Sequence, residues 1–115
     1  MNFATLNESI RYSKTPSVCV ELAWATGDRI LALPTGFVAS ADWSKDERRE
    51  KIDIDWGNWI ITLIGHGLQR LPGSLIRGEI CAIMELESET AEVTAGTLVI
   101  AILAVEKKAE ENDAD

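Results

Sequence analysis

The chain reads as a mainly β domain of about seven mostly antiparallel strands, folded as a small barrel or a two-layer sandwich, with one or two short helical segments. Three observations carry that expectation. Residues 51–64 spell a hairpin whose register follows from hydrophobic pattern and turn chemistry together. Residues 17–25, 29–33, 37–43 and 79–87 alternate or cluster apolar side chains, and residues 97–106 form a β-branched run. The intervening turns are mostly about two to six residues long, whereas parallel crossovers need about a dozen, so antiparallel connections are expected.

In the hairpin, Gly57-Asn58 suits a two-residue type II′ turn because Gly accepts the positive φ required at the first central position. That turn pairs Trp56 with Trp59, Ile54 with Ile61 and Ile52 with Leu63 on one apolar face. Asp55 then meets Ile60 and Asp53 meets Thr62 on the other. A one-residue slip would mix the two faces.

The other elements follow in chain order. Phe3, Leu6 and Ile10 have helical spacing, which predicts a short N-terminal helix ending before Thr15-Pro16. Residues 17–25 place Val18, Val20, Leu22 and Trp24 on one strand face and Cys19, Glu21 and Ala23 on the other. Thr26-Gly27-Asp28 and Pro34-Thr35-Gly36 are turn sequences that separate the next two strands, and residues 44–50 form a polar loop before the hairpin. Leu68, Leu71 and Leu75 then repeat at helical spacing, interrupted by Pro72-Gly73. The expectation is a helical turn, a break and a second short helix closed at Gly78, plugging an open end or face of the β structure. In residues 79–87, Glu79, Cys81, Ile83, Glu85 and Glu87 share one side, continued by Glu89, while Ile80, Ala82, Met84 and Leu86 share the core side. Residues 88–96 are weakly patterned. Residues 97–106 suit a buried central strand.

With 115 residues, 46% hydrophobic and 26% charged, the chain is expected to form one globular domain over residues 1–106, followed by a polar, disordered acidic tail at 107–115. The longest apolar run, residues 98–105, is far short of the roughly 20 residues of a membrane span, and the first residues lack the basic start and apolar run of a secretory signal. A soluble, cytoplasmic protein without membrane association is expected. Cys19 and Cys81 lack a C-x-x-C spacing and read as reduced, partly buried thiols. Of the net charge of −8, all the excess lies late: residues 1–78 hold nine acids and nine bases, and residues 79–115 hold ten acids against Lys107 and Lys108. Nucleic-acid binding through a basic groove is therefore not expected.

Candidate chemistry is sparse. Asp53 and Asp55 share a polar strand face, but a hard cation needs more ligands and no EF-hand-like loop surrounds them, so no metal site is expected. His66, the only histidine, has no spacing that marks Ser74 or Cys81 as a nucleophile partner, and the Gly65-His66-Gly67 context suits a sharp exit from the hairpin. The glycine pairs do not make a dinucleotide or phosphate loop, so no cofactor is expected. Two surfaces stand out as candidate partner sites. One is the acidic stripe Glu85, Glu87 and Glu89, which reads either as a dock for a basic partner or a cation, or as a solvated face or an edge strand protected by its charge. The other is the set Trp43, Trp56 and Trp59; packing is the favoured reading, because the hairpin register gives Trp56 and Trp59 aliphatic neighbours, but their place at a turn makes them the positions most apt to be half exposed.

The leading functional expectation is a non-enzymatic protein-interaction or assembly module, acting with a protein partner or with itself as a homo-oligomer. A small-molecule-binding β barrel, with the tryptophans near an opening, is the second reading, and an acidic mimic of nucleic acid the third.

Overall fold

The computed structural model describes residues 9–86 and 97–107. Two four-stranded sheets pack face to face as a sandwich, and no barrel closes. The strands are β1 (Ile10–Tyr12), β2 (Cys19–Ala23), β3 (Ile30–Pro34), β4 (Val38–Lys45), β5 (Glu50–Trp56), β6 (Trp59–His66), β7 (Ile80–Met84) and β8 (Leu98–Glu106), with one helix, α1 (Leu71–Ile76), and a 3-10 turn at Thr35–Phe37. The first sheet has the order β1-β7-β2-β3 and the second β4-β5-β6-β8.

The hairpin forms in the register expected from its pattern. Trp56 lies opposite Trp59, Ile54 opposite Ile61 and Ile52 opposite Leu63, with Gly57 at φ +61° in the turn. Ile52, Ile54, Trp56, Ile61 and Leu63 have no exposed surface and form the second sheet's half of the core. Val20, Leu22, Leu33, Ile80 and Ile83 supply the other half from the first sheet. The alternation that separates these faces is the period of two of a pleated strand.

Several expectations give way. Residues 9–14 are not helical: Ile10–Tyr12 form β1, with Ile10 opposite Ile83 of β7, and residues 1–8 of the expected N-terminal helix lie outside the described residues. β2 and β7 are parallel neighbours, an exception to the antiparallel rule. The connection between them is not a turn but three strands of the second sheet, β3 and α1, which supplies the length a parallel return requires. Pro72 and Gly73 do not break the helix. They lie in the first turn of α1, where the N–H that Pro lacks has no helical partner in any case, and Leu68, Leu71 and Leu75 are all buried. Gly78, at φ +76°, closes the segment, and α1 rests against β4 and the 3-10 turn.

The two late strands depart from the readings given to them. β7 lies inside its sheet, between β1 and β2, so both its edges are paired, and Ile83, on the expected acidic side, has no exposed surface. β8 is an edge strand, not a central one: Val99 and Ile102 face the core, while Leu103 and Val105 are 51% and 62% exposed. Val18, assigned to the inner face of β2, precedes the strand and is exposed, as is Cys19, while Cys81 is half-buried; both thiols are free. No described helix is long and apolar enough to cross a membrane.

Candidate functional site

The outer edge of β8 divides into a closed half and an open half. Alternation along an antiparallel strand turns the backbone groups of every second residue away from the paired neighbour. Opposite β6, Leu103 and Val105 point their N–H and C=O toward Thr62 and Ile60, so Ile102, Ala104 and Glu106 point theirs to the open side. At Ile102 both groups are taken by side chains of the first layer: Glu85 Oε2 accepts its N–H at 2.9 Å and Trp24 Nε1 donates to its carbonyl at 2.9 Å. Beyond the bulge that shifts the register at Gly65, the N–H of Val99 donates to Ser9 Oγ at 2.8 Å and its carbonyl accepts the N–H of Leu86 at 2.9 Å. Past Ile102 the protection stops. Ala104 and Glu106 have no hydrogen-bond partner for their edge groups among the described residues.

The same end of β8 carries exposed apolar side chains. Leu103 and Val105 stand on the outer face of the second sheet beside Ile60, which lies opposite Val105 and is 37% exposed. Toward β5 this face becomes polar. Asp53 accepts from Thr62 Oγ1 at 2.9 Å and pairs with Lys51 at 3.5 Å, and Asp55 pairs with Lys107 at 2.5 Å. The two aspartates are thus engaged with neighbours of their own sheet, and the described residues contain no group of three or more His, Cys, Asp and Glu arranged to hold a metal ion.

The residues singled out from the sequence are scattered by the fold. Trp56 is fully buried and its Nε1 donates to the Pro34 carbonyl at 2.7 Å, so the half-exposed position expected of it is corrected: it joins the two layers from within. Trp59 is half-buried against the core. Trp43, also half-buried, lies opposite Ile52 and donates to Glu50 Oε1 at 3.0 Å. Four residues of β5, about 13 Å of extended strand, separate that position from Trp56. The three tryptophans therefore do not line one opening. Two clefts beside residues 46–49, of about 540 and 310 Å³, have charged linings that include Arg49, and hold no tryptophan.

Glu85 is half-buried and is used on both oxygens, Oε1 by the N–H of Ala25 and Oε2 by that of Ile102. It is a cross-layer tie, not part of a solvated stripe on an edge strand. Glu87 and Glu89 lie outside the described residues. A second carboxylate has the same kind of task. Glu50 accepts from Trp43 Nε1 and from the N–H groups of Gly67 and Leu68, at 3.0, 3.0 and 2.7 Å. Desolvation raises its pKa, but these three hydrogen bonds outweigh it and hold the carboxyl below its usual range.

Sequence reasoning missed the open end of β8. The signal was present in the unbroken apolar run of residues 98–105, which makes both faces of a strand apolar. Burial on both sides and exposure of one apolar face share that pattern. Comparison with protein-family models, with curated proteins and with solved structures finds no match.

Proposed function

We propose that this domain is a non-enzymatic interaction or assembly module that engages a protein through the open end of β8. One observation carries the reading: the exposed apolar side chains of Leu103 and Val105 coincide with a stretch of that edge at which Ala104 and Glu106 leave their outward backbone groups unpaired among the described residues. Folded proteins usually blunt such edges with charge, proline, a bulge or a covering segment. Here Ser9, Trp24, Glu85 and Leu86 cover the edge as far as Ile102 and no farther. An added strand would find hydrogen-bonding groups at Ala104 and Glu106 and apolar contacts at Leu103 and Val105, which is the pairing of affinity and selectivity used in β-strand addition. The free thiols of Cys19 and Cys81 support a reducing, cytoplasmic setting.

A photo-reactive amino acid placed at position 105 in cells tests the reading. It should form an adduct with an identifiable protein, and Ala104→Pro should abolish that adduct. Proline suits an edge position whose N–H faces outward, so the fold should persist. If no protein is cross-linked, or if Ala104→Pro leaves the same adduct in place, β8 is not the working surface.

A further inference from the structure

We infer that the strand received by the β8 edge is the β8 of a second copy of this chain, paired antiparallel about a two-fold axis at Val105; this rests on the reading of β8 just proposed and names its partner. The Trp24 and Glu85 bonds on Ile102 act as a stop, because an incoming strand cannot also use the backbone groups they occupy. Past that stop, β8 runs to Glu106 and its outward-facing backbone groups are those of Ala104 and Glu106, symmetric about Val105. Antiparallel pairing of this segment with itself in one register uses all of it. Ala104 then lies opposite Glu106 of the other copy, exchanging both backbone hydrogen bonds, and the same occurs on the other side of the axis. Val105 meets its own counterpart as a non-hydrogen-bonded pair, where side chains approach most closely. Leu103 meets Lys107, whose aliphatic stem can cover an apolar neighbour while its ammonium group reaches Asp55.

The chemistry of the segment suits self-pairing. Glu106 faces Ala104 and Lys107 faces Leu103, so no like charges are brought opposite one another across the axis, a juxtaposition that would be destabilising. The outer faces of the two second sheets become one eight-stranded surface in which the Leu103, Val105 and Ile60 patches of both copies adjoin. The pairing is isologous, so it closes at two copies and does not propagate into a fibre. It is also short. Five residues per copy cover less than the ~800 Å² per partner of a standard interface, so the dimer should dissociate on dilution.

Sedimentation across a concentration series, combined with engineered cysteines in a Cys19→Ser/Cys81→Ser background, tests the inference. The weight-average mass should rise with concentration from 12.6 kDa toward twice that value. Ala104→Pro, or the pair Leu103→Lys and Val105→Lys, should hold it at the monomer value while leaving cooperative unfolding intact. Val105→Cys alone should cross-link under mild oxidation, since such a pair has Cα atoms about 4.5 Å apart, within disulfide range. Leu103→Cys should cross-link with Lys107→Cys and much less with itself. A chain that stays monomeric at every concentration, or a dimer unaffected by both sets of β8 substitutions, overturns the inference. Should the chain be monomeric while the adduct at position 105 joins a different protein and is lost in Ala104→Pro, the self-pairing alone is wrong; should the adduct also be absent, the reading of β8 falls with it.

Discussion

Glu85 holds the backbone N–H of Ile102 at 2.9 Å, and with it the unpaired edge of the second sheet to the end of β7 in the first. Its other oxygen takes the N–H of Ala25, and Trp24, stacked under Arg29 at 4.4 Å, takes the Ile102 carbonyl. Two side chains thus replace a fifth strand at one position. Glu85→Gln turns one of two acceptors into a donor facing a backbone N–H. The expected loss is about 1–3 kcal/mol of unfolding free energy, read from urea denaturation. A variant with the parent's midpoint would show that these bonds contribute nothing net.

Two glycines in the second sheet are required for different reasons. A Cβ on Gly65 would lie 1.8 Å from the Leu98 carbonyl oxygen, so the β8 bulge approaches the backbone there too closely for any side chain. At Gly57 the obstacle is the backbone angle, φ +61°, together with Phe37 Cδ2 at 3.1 Å. Gly57→Ala should cost about 1–2 kcal/mol, the usual penalty of the left-handed region. Gly65→Ala should cost clearly more, because the clash is with backbone that is itself in a ladder. Thermal unfolding orders the two, and equal losses would mean that the bulge relaxes freely.

The legible parts of this fold are those in which pattern and local chemistry agree. Trp56 and Trp59 flank a turn that only one register satisfies, and the paired strands obey it. Leu68, Leu71 and Leu75 mark one buried helical face whichever way Pro72 is read. Strand order was not legible, because neighbours in a sheet are set by contacts between distant segments. Residues 79–87 alternate acids with apolar side chains as an edge strand does, yet the charged positions cluster beyond the strand's end, and the paired portion, Ile80–Met84, is apolar enough to lie between β1 and β2. The β8 run looked central because burial and an exposed apolar face are written alike. Of the candidate site residues, Trp56 and Glu85 join the two layers through hydrogen bonds to Pro34 and Ile102, partners so distant in the chain that neither alternation nor charge pattern specifies them.

β8 also allows a contrast within three residues. Ile102 faces the core and is 2% exposed, whereas Ile100 lies at the bulge and is half-buried. Ile102→Asp should yield insoluble or unfolded protein, because it places a carboxylate in the hydrophobic core. Ile100→Asp should remain soluble with a lowered melting temperature. The same result from both would show that the bulge position is as enclosed as the core position at Ile102.

Glu50 links the β4–β5 loop to the exit of β6, and its protonation should be visible in the acid limb of stability. Burial alone would raise its pKa above the ordinary 4.5; the bonds from Trp43, Gly67 and Leu68 reverse that and hold the folded value below it. A carboxyl depressed by folding stabilises the native state fully above its unfolded pKa. The contribution fades as pH falls through the folded value, where the proton removes the charge those three donors require. The unfolding free energy of the parent minus that of Glu50→Gln should therefore be constant above about pH 5 and shrink as pH drops below the ordinary carboxylate value. Asp46, whose carboxyl is lowered by the backbone N–H groups of Arg49 and Arg48, caps the neighbouring turn and titrates in both proteins, so it cancels in the difference. A difference that stayed level from neutral pH to pH ~3 would mean that charge on Glu50 is irrelevant to its three bonds, and that an uncharged acceptor serves the Gly67–Leu68 turn as well.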